Sequence, residues 1–167
     1  MDLSMLELSD QEIARRNSLN ELRSLGINPY PAAEYQVTAY AQEIINSYPE
    51  GNEEREALLR EQRVRLAGRI MGRRIMGKAS FVELADSTGR IQIYITRDSI
   101  ADGENTDLYN IVFKKCLDIG DFIGVEGYVF KTQTGEVSVH ALSLTVLSKS
   151  LRPLPIVKEK DGKIFDG

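Results

Sequence analysis

Phe81, Gln92 and Glu136 are the residues of this 167-residue chain whose types suit recognition of an unpaired nucleobase. A phenyl ring stacks on the face of a base, a contact worth about 1–3 kcal/mol per base. A carboxamide donates and accepts at once and so matches the Watson–Crick edge of uracil. A carboxylate accepts from a base imino or amino group. The segment 63–78 adds Arg63, Arg65, Arg69, Arg73, Arg74 and Lys78 with no acidic residue among them, the composition that holds phosphates. The whole chain carries a net charge of −4, but its carboxylates concentrate in 50–61 and 98–107. A partner meets the local basic stripe rather than the average. The same stripe also reads as a strand edge protected by charge.

These residues need a sheet to position them. Val64, Leu66, Gly68 and Ile70 alternate with Arg63, Arg65, Ala67 and Arg69, a period of two that predicts a strand. Gly68 and Gly72 invite a bulge or a bend in it. Further strands are predicted over 79–85 and 90–96, joined by the turn 86–89. A short helix follows over 107–117, then strands over 122–131 and 136–147 joined by the turn 132–135. Three strands, a helix and two strands match a five-stranded Greek-key barrel of the OB type. The fold is therefore mainly β with α, a five-stranded OB-fold barrel behind an N-terminal helical extension. An open five-stranded sheet with helices is the competing architecture.

Alternation also sorts the faces. Val82 and Leu84 oppose Phe81 and Glu83, while Ile91, Ile93 and Ile95 oppose Gln92, Tyr94 and Thr96. A two- or four-residue turn near Ser87 brings the apolar sets together; in the four-residue case Glu83 faces Gln92 and Phe81 faces Tyr94, and a one-residue slip would mix the faces. Phe81 then stands on the outer face, diagonal to Gln92 and within its reach. Either it meets a base there, or the N-terminal helices or a dimer partner cover it. Glu136 is expected at the start of the fifth strand, beside the basic first strand. It serves there as a base acceptor or as one half of a surface ion pair.

The rest of the chain reads as support. Ser9 to Glu12 has the spacing of a capping box and predicts the start of a helix. Ile13, Leu19, Leu22 and Leu25 supply its apolar positions and Gly26 its end. Arg15, Arg16 and Arg23 form an RNA-touching arm or a solvated face, and charge patterning favours the solvated face. Asn28 to Pro31 breaks the chain into an extended linker, and helices follow over 39–47 and 53–62. The predicted units are a helical extension at 1–62, the barrel at 63–150, and a linker at 151–167 that is stiffened by Pro153 and Pro155. A single cysteine, Cys116, excludes an internal disulfide framework, and it reads as a core residue. With one histidine, His140, it makes a zinc site implausible. His140 reads as a sheet residue, because no motif positions a Ser, Cys or Asp partner for catalysis. No apolar run is long enough to span a membrane, and the acidic N-terminus lacks a signal core. A cytoplasmic protein is expected.

Three blocks in order, AGRIMGRRIMGKASFVELADSTGRIQIYI, GDFIGVEGYVFKTQTGEVSVH and SKSLRPLP, resemble the anticodon-binding domain of bacterial-type, class II lysyl-tRNA synthetases. The upstream helix with its INPYP exit resembles the same family, so the likeness covers nearly the whole chain. It implies that the barrel reads the uracil-rich anticodon stem-loop of tRNA(Lys). It implies that Phe81 stacks the central base, that Gln92 hydrogen-bonds it and that Arg74 assists. Glu136 is then the contact to a neighbouring base. Arg69, Arg73 and Lys78 are weaker candidates for RNA backbone contacts. Two segments depart from the family pattern: DSIADGENTDLYNIV is slightly longer, and VKEKDGKIFDG differs from the usual continuation. Nothing resembles the class II catalytic motifs, so the chain is expected to be an N-terminal fragment without catalytic residues, metal or cofactor. The full-length parent is expected to be a homodimer that joins lysine to tRNA using ATP and magnesium. Three other readings remain open. They are the anticodon domain of an aspartyl- or asparaginyl-tRNA synthetase, a general single-strand-binding OB protein, and a protein-interaction module.

Overall fold

The computed structural model describes residues 3–147, except the side chains of residues 3–12 and 15. Its centre is a closed barrel of five strands: β1 (Val64–Met76), β2 (Ala79–Ala85), β3 (Arg90–Thr96), β4 (Phe122–Lys131) and β5 (Val137–Val146). The order around the barrel is β1-β2-β3-β5-β4, and β4 closes back onto β1. Only the β3–β5 pairing is parallel. This is the OB arrangement predicted from the element order, and the open sheet is excluded.

β1 serves both halves of the barrel by bending. Its first part pairs with β4 through Arg69↔Phe122, and its second pairs with β2 from Arg69↔Ala85 onward. A register shift between Ile70 and Gly72 marks the bulge, which turns a strand more sharply than regular pleating allows. The two glycines play different parts. A Cβ on Gly68 would collide with the backbone carbonyl of Ala85, whereas one on Gly72 would meet nothing within 4 Å.

The β2–β3 register is the one the apolar pattern selects, with Phe81↔Tyr94 and Glu83↔Gln92. Val82, Leu84, Ile91, Ile93 and Ile95 are buried inside with Leu66, Ile70, Ile123, Val125 and Val139. The predicted helix between β3 and β4 is wound as a π-helix over Leu108–Cys116, with Leu117 N–H donating to the carbonyl of Val112. Tyr109, Val112, Phe113 and Cys116 are all fully buried, so this plug helix closes one end of the barrel, with Cys116 a core residue as predicted.

Three α-helices precede the barrel: α1 (Leu3–Ser24), α2 (Ala41–Asn46) and α3 (Glu53–Arg60). α1 begins at Leu3, so Ser9 to Glu12 lie within the helix rather than at its start, and their side chains are outside the described residues. The helix ends as predicted at Gly26. The Gly26 N–H meets the Arg23 carbonyl at 2.9 Å, and the Ile27 N–H meets the Leu22 carbonyl at 2.9 Å, the Schellman arrangement. Leu19, Leu22, Ala39, Ala41, Ile44 and Tyr48 join the same apolar core as the strands. Asp86 ties α2 to the β2–β3 turn, accepting from the N–H groups of Ala41 (2.7 Å), Thr88 (2.8 Å) and Gly89 (3.2 Å). Burial pushes its carboxyl pKa up, but the bonds from Thr88, Ala41 and Gly89 outweigh this and hold it below the usual carboxylate range. The segment 148–167, with the predicted proline-stiffened linker, lies outside the described residues.

The close approach at Gly68 gives a test. Gly68→Ala should destabilise the chain by roughly 1–3 kcal/mol, because a backbone carbonyl cannot step aside for a methyl group. Gly72→Ala should stay within about 0.5–1 kcal/mol of the wild type. Urea unfolding measures both, and equal losses would contradict this account of the bend.

Candidate nucleic-acid interface

The β2–β3 register places Phe81 and Gln92 on the outer face of the barrel. An open cleft of about 400 Å³ lies there, lined among others by Arg73, Arg74, Phe81, Glu83, Gln92 and Glu136. Phe81 is partly exposed, and among the described residues none of the N-terminal helices lines the cleft beside it. Its ring leans on Tyr94, with centroids 5.1 Å apart and planes tilted by 40°. The Arg74 guanidinium lies 5.4 Å from its centroid, within the range of a cation–π contact. The ring is braced by one aromatic neighbour and carries a cation beside it that a base and its phosphate would both meet.

Gln92 is oriented rather than free. Its Nε2 donates to Ser138 Oγ at 3.1 Å, and Ser138 is fully buried and donates in turn to the Glu136 carbonyl at 3.2 Å. This fixes the plane of the carboxamide and leaves its oxygen and second N–H for a base edge. The relay exists because β3 and β5 pair in parallel with Gln92↔Ser138.

Glu136 stands just before β5, not within it. It is held by a pinned turn. Its N–H donates to Thr132 Oγ1 at 3.0 Å, and its carbonyl accepts from the Thr132 N–H at 2.9 Å. Its carboxylate is exposed and makes no ion pair among the described residues. The expected neighbour was β1, but β5 lies between β3 and β4. Glu136 therefore reaches the cleft from beside β3, past Gln92. The second carboxylate in the cleft, Glu83, is occupied by Arg90 at 2.8 Å. Such an exposed pair adds little stability, but it offsets a charge that would repel phosphate.

The weaker candidates separate. Arg73 lines the cleft but donates to the Phe113 carbonyl at 2.9 Å, so it anchors the plug helix as well. Arg69 lies over the Phe122 ring at 4.6 Å and is not among the cleft residues. Lys78 is exposed at the tip of the β1–β2 hairpin, outside the cleft. Ser138 and Arg90 were missed from the sequence. Ser138 follows Glu136 at a spacing of two, but its meeting with Gln92 depends on a long-range pairing that no local pattern announces.

His140 is a sheet residue in β5, opposite Tyr94 and Tyr128. Its Nε2 lies 2.9 Å from Ser99 Oγ and its Nδ1 lies 2.8 Å from Tyr128 Oη. The Tyr94 ring packs edge-on against it at 5.1 Å. It thus braces from behind the ring that braces Phe81. Burial holds its pKa below the ordinary imidazole value. Among the described residues no group of His, Cys, Asp and Glu could hold a metal ion. No helix there is long and apolar enough to cross a membrane.

Comparison with known proteins agrees with the barrel fold. Residues 64–147 match the family model described as OB-fold nucleic acid binding domain. The chain is 62% identical to the lysine–tRNA ligase of Porphyromonas gingivalis over 165 residues, 99% of this chain and 28% of that ligase. It is 63% identical over 159 residues to the lysine–tRNA ligase of Azobacteroides pseudotrichonymphae, 95% of this chain and 30% of that one. For the Christiangramia forsetii ligase the identity is 49% over 164 residues, 98% and 27%. The chain spans between a quarter and a third of the length of these relatives.

The chain has a single histidine, so its titration is directly readable. The His140 imidazole signal in an NMR titration should show a midpoint below about 6.5. The unfolded chain then binds the proton first, so stability falls as pH drops below about 6.5 and levels off below the folded midpoint. A midpoint at or above 6.5 would contradict the burial of this ring.

Proposed function

Because the chain belongs to the family of OB-fold nucleic acid binding domains, we propose that its barrel reads the anticodon loop of a lysine transfer RNA. The observation that carries this reading is convergence. A stacking ring, an oriented carboxamide, an unpaired carboxylate and a cation stand around one open cleft, and the similar proteins are lysine–tRNA ligases. In this reading Phe81 stacks the central anticodon base and Gln92 meets its edge with the carboxamide oxygen and second N–H. Glu136 accepts from a neighbouring base, and Arg74 holds a phosphate beside Phe81.

The division of labour follows from chemistry. Arg74 and Arg73 attract any nucleic acid strand and set affinity in a salt-dependent way. Gln92 and Glu136 distinguish bases, Gln92 through its oriented carboxamide and Glu136 through an acceptor carried on a pinned turn. Lysine activation with ATP and magnesium, dimer formation and residence in the cytoplasm belong in this reading to a longer lysine–tRNA ligase of which this barrel is the anticodon-reading part.

Titration with anticodon hairpins tests the proposal. A UUU loop should bind more tightly than a GUC loop. Preference for GUC would favour an aspartate-type reader, and equal binding of all loops a general single-strand binder. Absence of binding would leave a protein-interaction module. Phe81→Ala should weaken the UUU hairpin by roughly 1–3 kcal/mol, and unchanged affinity would remove the stacking role.

Gln92→Ala should reduce the preference for uracil at the central position more than it reduces overall affinity. Hairpins varied only at that base measure this, and a uniform loss across all of them would assign Gln92 to non-specific binding.

A further inference from the structure

The outer face carries its contacts in a line along the strands. On β1 and β2, Met76 pairs with Ala79, Arg74 with Phe81 and Gly72 with Glu83. The same rows continue on β3 as Thr96, Tyr94 and Gln92. Successive rows on one face are two residues apart, about 6.8 Å along an antiparallel strand. Glu136 lies beyond the Gln92 row. Met76 lies one row beyond Phe81 in the opposite direction, on the same face. The cleft therefore uses the line on one side of Phe81 only.

On the unused side Met76 is 47% exposed. A single exposed apolar side chain means little by itself, but this one is presented on a held tip. Gly77 makes the turn with φ +67°. The buried Tyr109 hydroxyl donates to the Gly77 carbonyl at 3.0 Å and lies 2.7 Å from Ser80 Oγ. The Arg97 N–H donates to the Lys78 carbonyl at 2.8 Å. The plug helix and the end of β3 thus clamp the hairpin in place before any partner arrives, which lowers the ordering cost of binding. Lys78, next to this turn, is exposed and forms no ion pair among the described residues. Between Arg69 and Lys78 the hairpin carries four cations and no carboxylate, a charge that suits a polyanion and continues that of the cleft.

We propose that Met76 and Lys78 hold the nucleotide that flanks the stacked base on the side away from Glu136. The thioether of Met76 contacts its base, and the ammonium of Lys78 its phosphate. A soft, unbranched thioether packs against a ring without demanding one base identity, so this contact adds affinity and register rather than discrimination. The proposal rests on the reading of Phe81 as the stacking residue.

The test uses the full chain, the UUU hairpin, and two further hairpins that are abasic at one or the other neighbour of the central base. Met76→Ala should weaken binding of the intact hairpin about two- to tenfold, the range a thioether–ring contact supports. Met76→Leu should recover most of it, because volume and apolarity are kept. The loss should vanish with one abasic hairpin and persist with the other, while the preference at the central base stays unchanged. Lys78→Ala should lower the slope of log affinity against log salt by about one. If Met76→Ala binds like the wild type while Phe81→Ala is weakened, this proposal fails and the cleft reading stands. If Phe81→Ala has no effect, both fail. Met76 is exposed, so its substitution leaves the core intact, and a loss of affinity is not a loss of fold.

Discussion

Burial of Val82, Leu84, Ile91, Ile93 and Ile95 between β2 and β3 is the constraint on which the rest of the outer face depends. Each of these residues removes apolar surface from water, worth about 1.5–3 kcal/mol for a fully buried side chain. A slip of one residue would turn the apolar set of one strand, Val82 and Leu84 or Ile91, Ile93 and Ile95, outward against the other. No contact on the outer face is strong enough to oppose that. Phe81 is placed on the surface not because the surface favours it but because its neighbours in sequence are claimed by the core.

What the register places, the barrel closure then orients. The parallel β3–β5 pairing brings Ser138 beside Gln92 and carries the turn before β5 to the edge of the cleft. A carboxamide on an isolated hairpin would sample several rotamers. Here one N–H is committed to a buried hydroxyl, so the remaining donor and acceptor point in a set direction. Specificity at a base edge comes from such fixed geometry, since a polar group left unmatched by the wrong base loses its bond to water without replacement. The bend of β1 has a similar consequence. It lets a single strand contribute Arg65 and Arg69 to one side of the barrel and Arg74 to the other.

Much of this was legible in the sequence, and the reasons are local. Period-two alternation over 79–85 and 90–96 marked both strands and narrowed their register to a two- or four-residue turn, of which the structure has the four-residue case. The bounds of β4 were equally clear, because apolar alternation starts at Phe122 and stops at Lys131. The winding of the plug helix was not legible. Its composition suits any helix, and no local pattern marks the π spacing that accompanies the burial of Tyr109 and Phe113. The start of α1 at Leu3 was misplaced because the spacing Ser9 to Glu12 mimics a cap inside a continuous helix. At the site, Phe81 and Gln92 could be paired from alternation alone. Glu136 could not be placed, because its position follows from a parallel pairing between strands more than forty residues apart. Its neighbour in space is therefore β3 rather than the basic strand expected from sequence.

The charge distribution explains how a chain with net charge −4 can present a face to a polyanion. Over a Debye length of about 8 Å at physiological salt, a strand in the cleft senses the groups that line it, Arg73 and Arg74 among them, more than the average charge of the chain. Within the cleft, Glu83 is offset by Arg90, while Glu136 is left uncompensated. That asymmetry has a cost in binding unless the carboxylate is met by a donor. In the proposed reading this glutamate is therefore a filter. A base that offers an imino or amino proton relieves it, and one that offers only acceptors adds to the repulsion. In the proposed reading, affinity from the arginines and selection by the glutamate oppose each other, and a moderate affinity with sharp discrimination is the balance expected of a surface that must release what it reads.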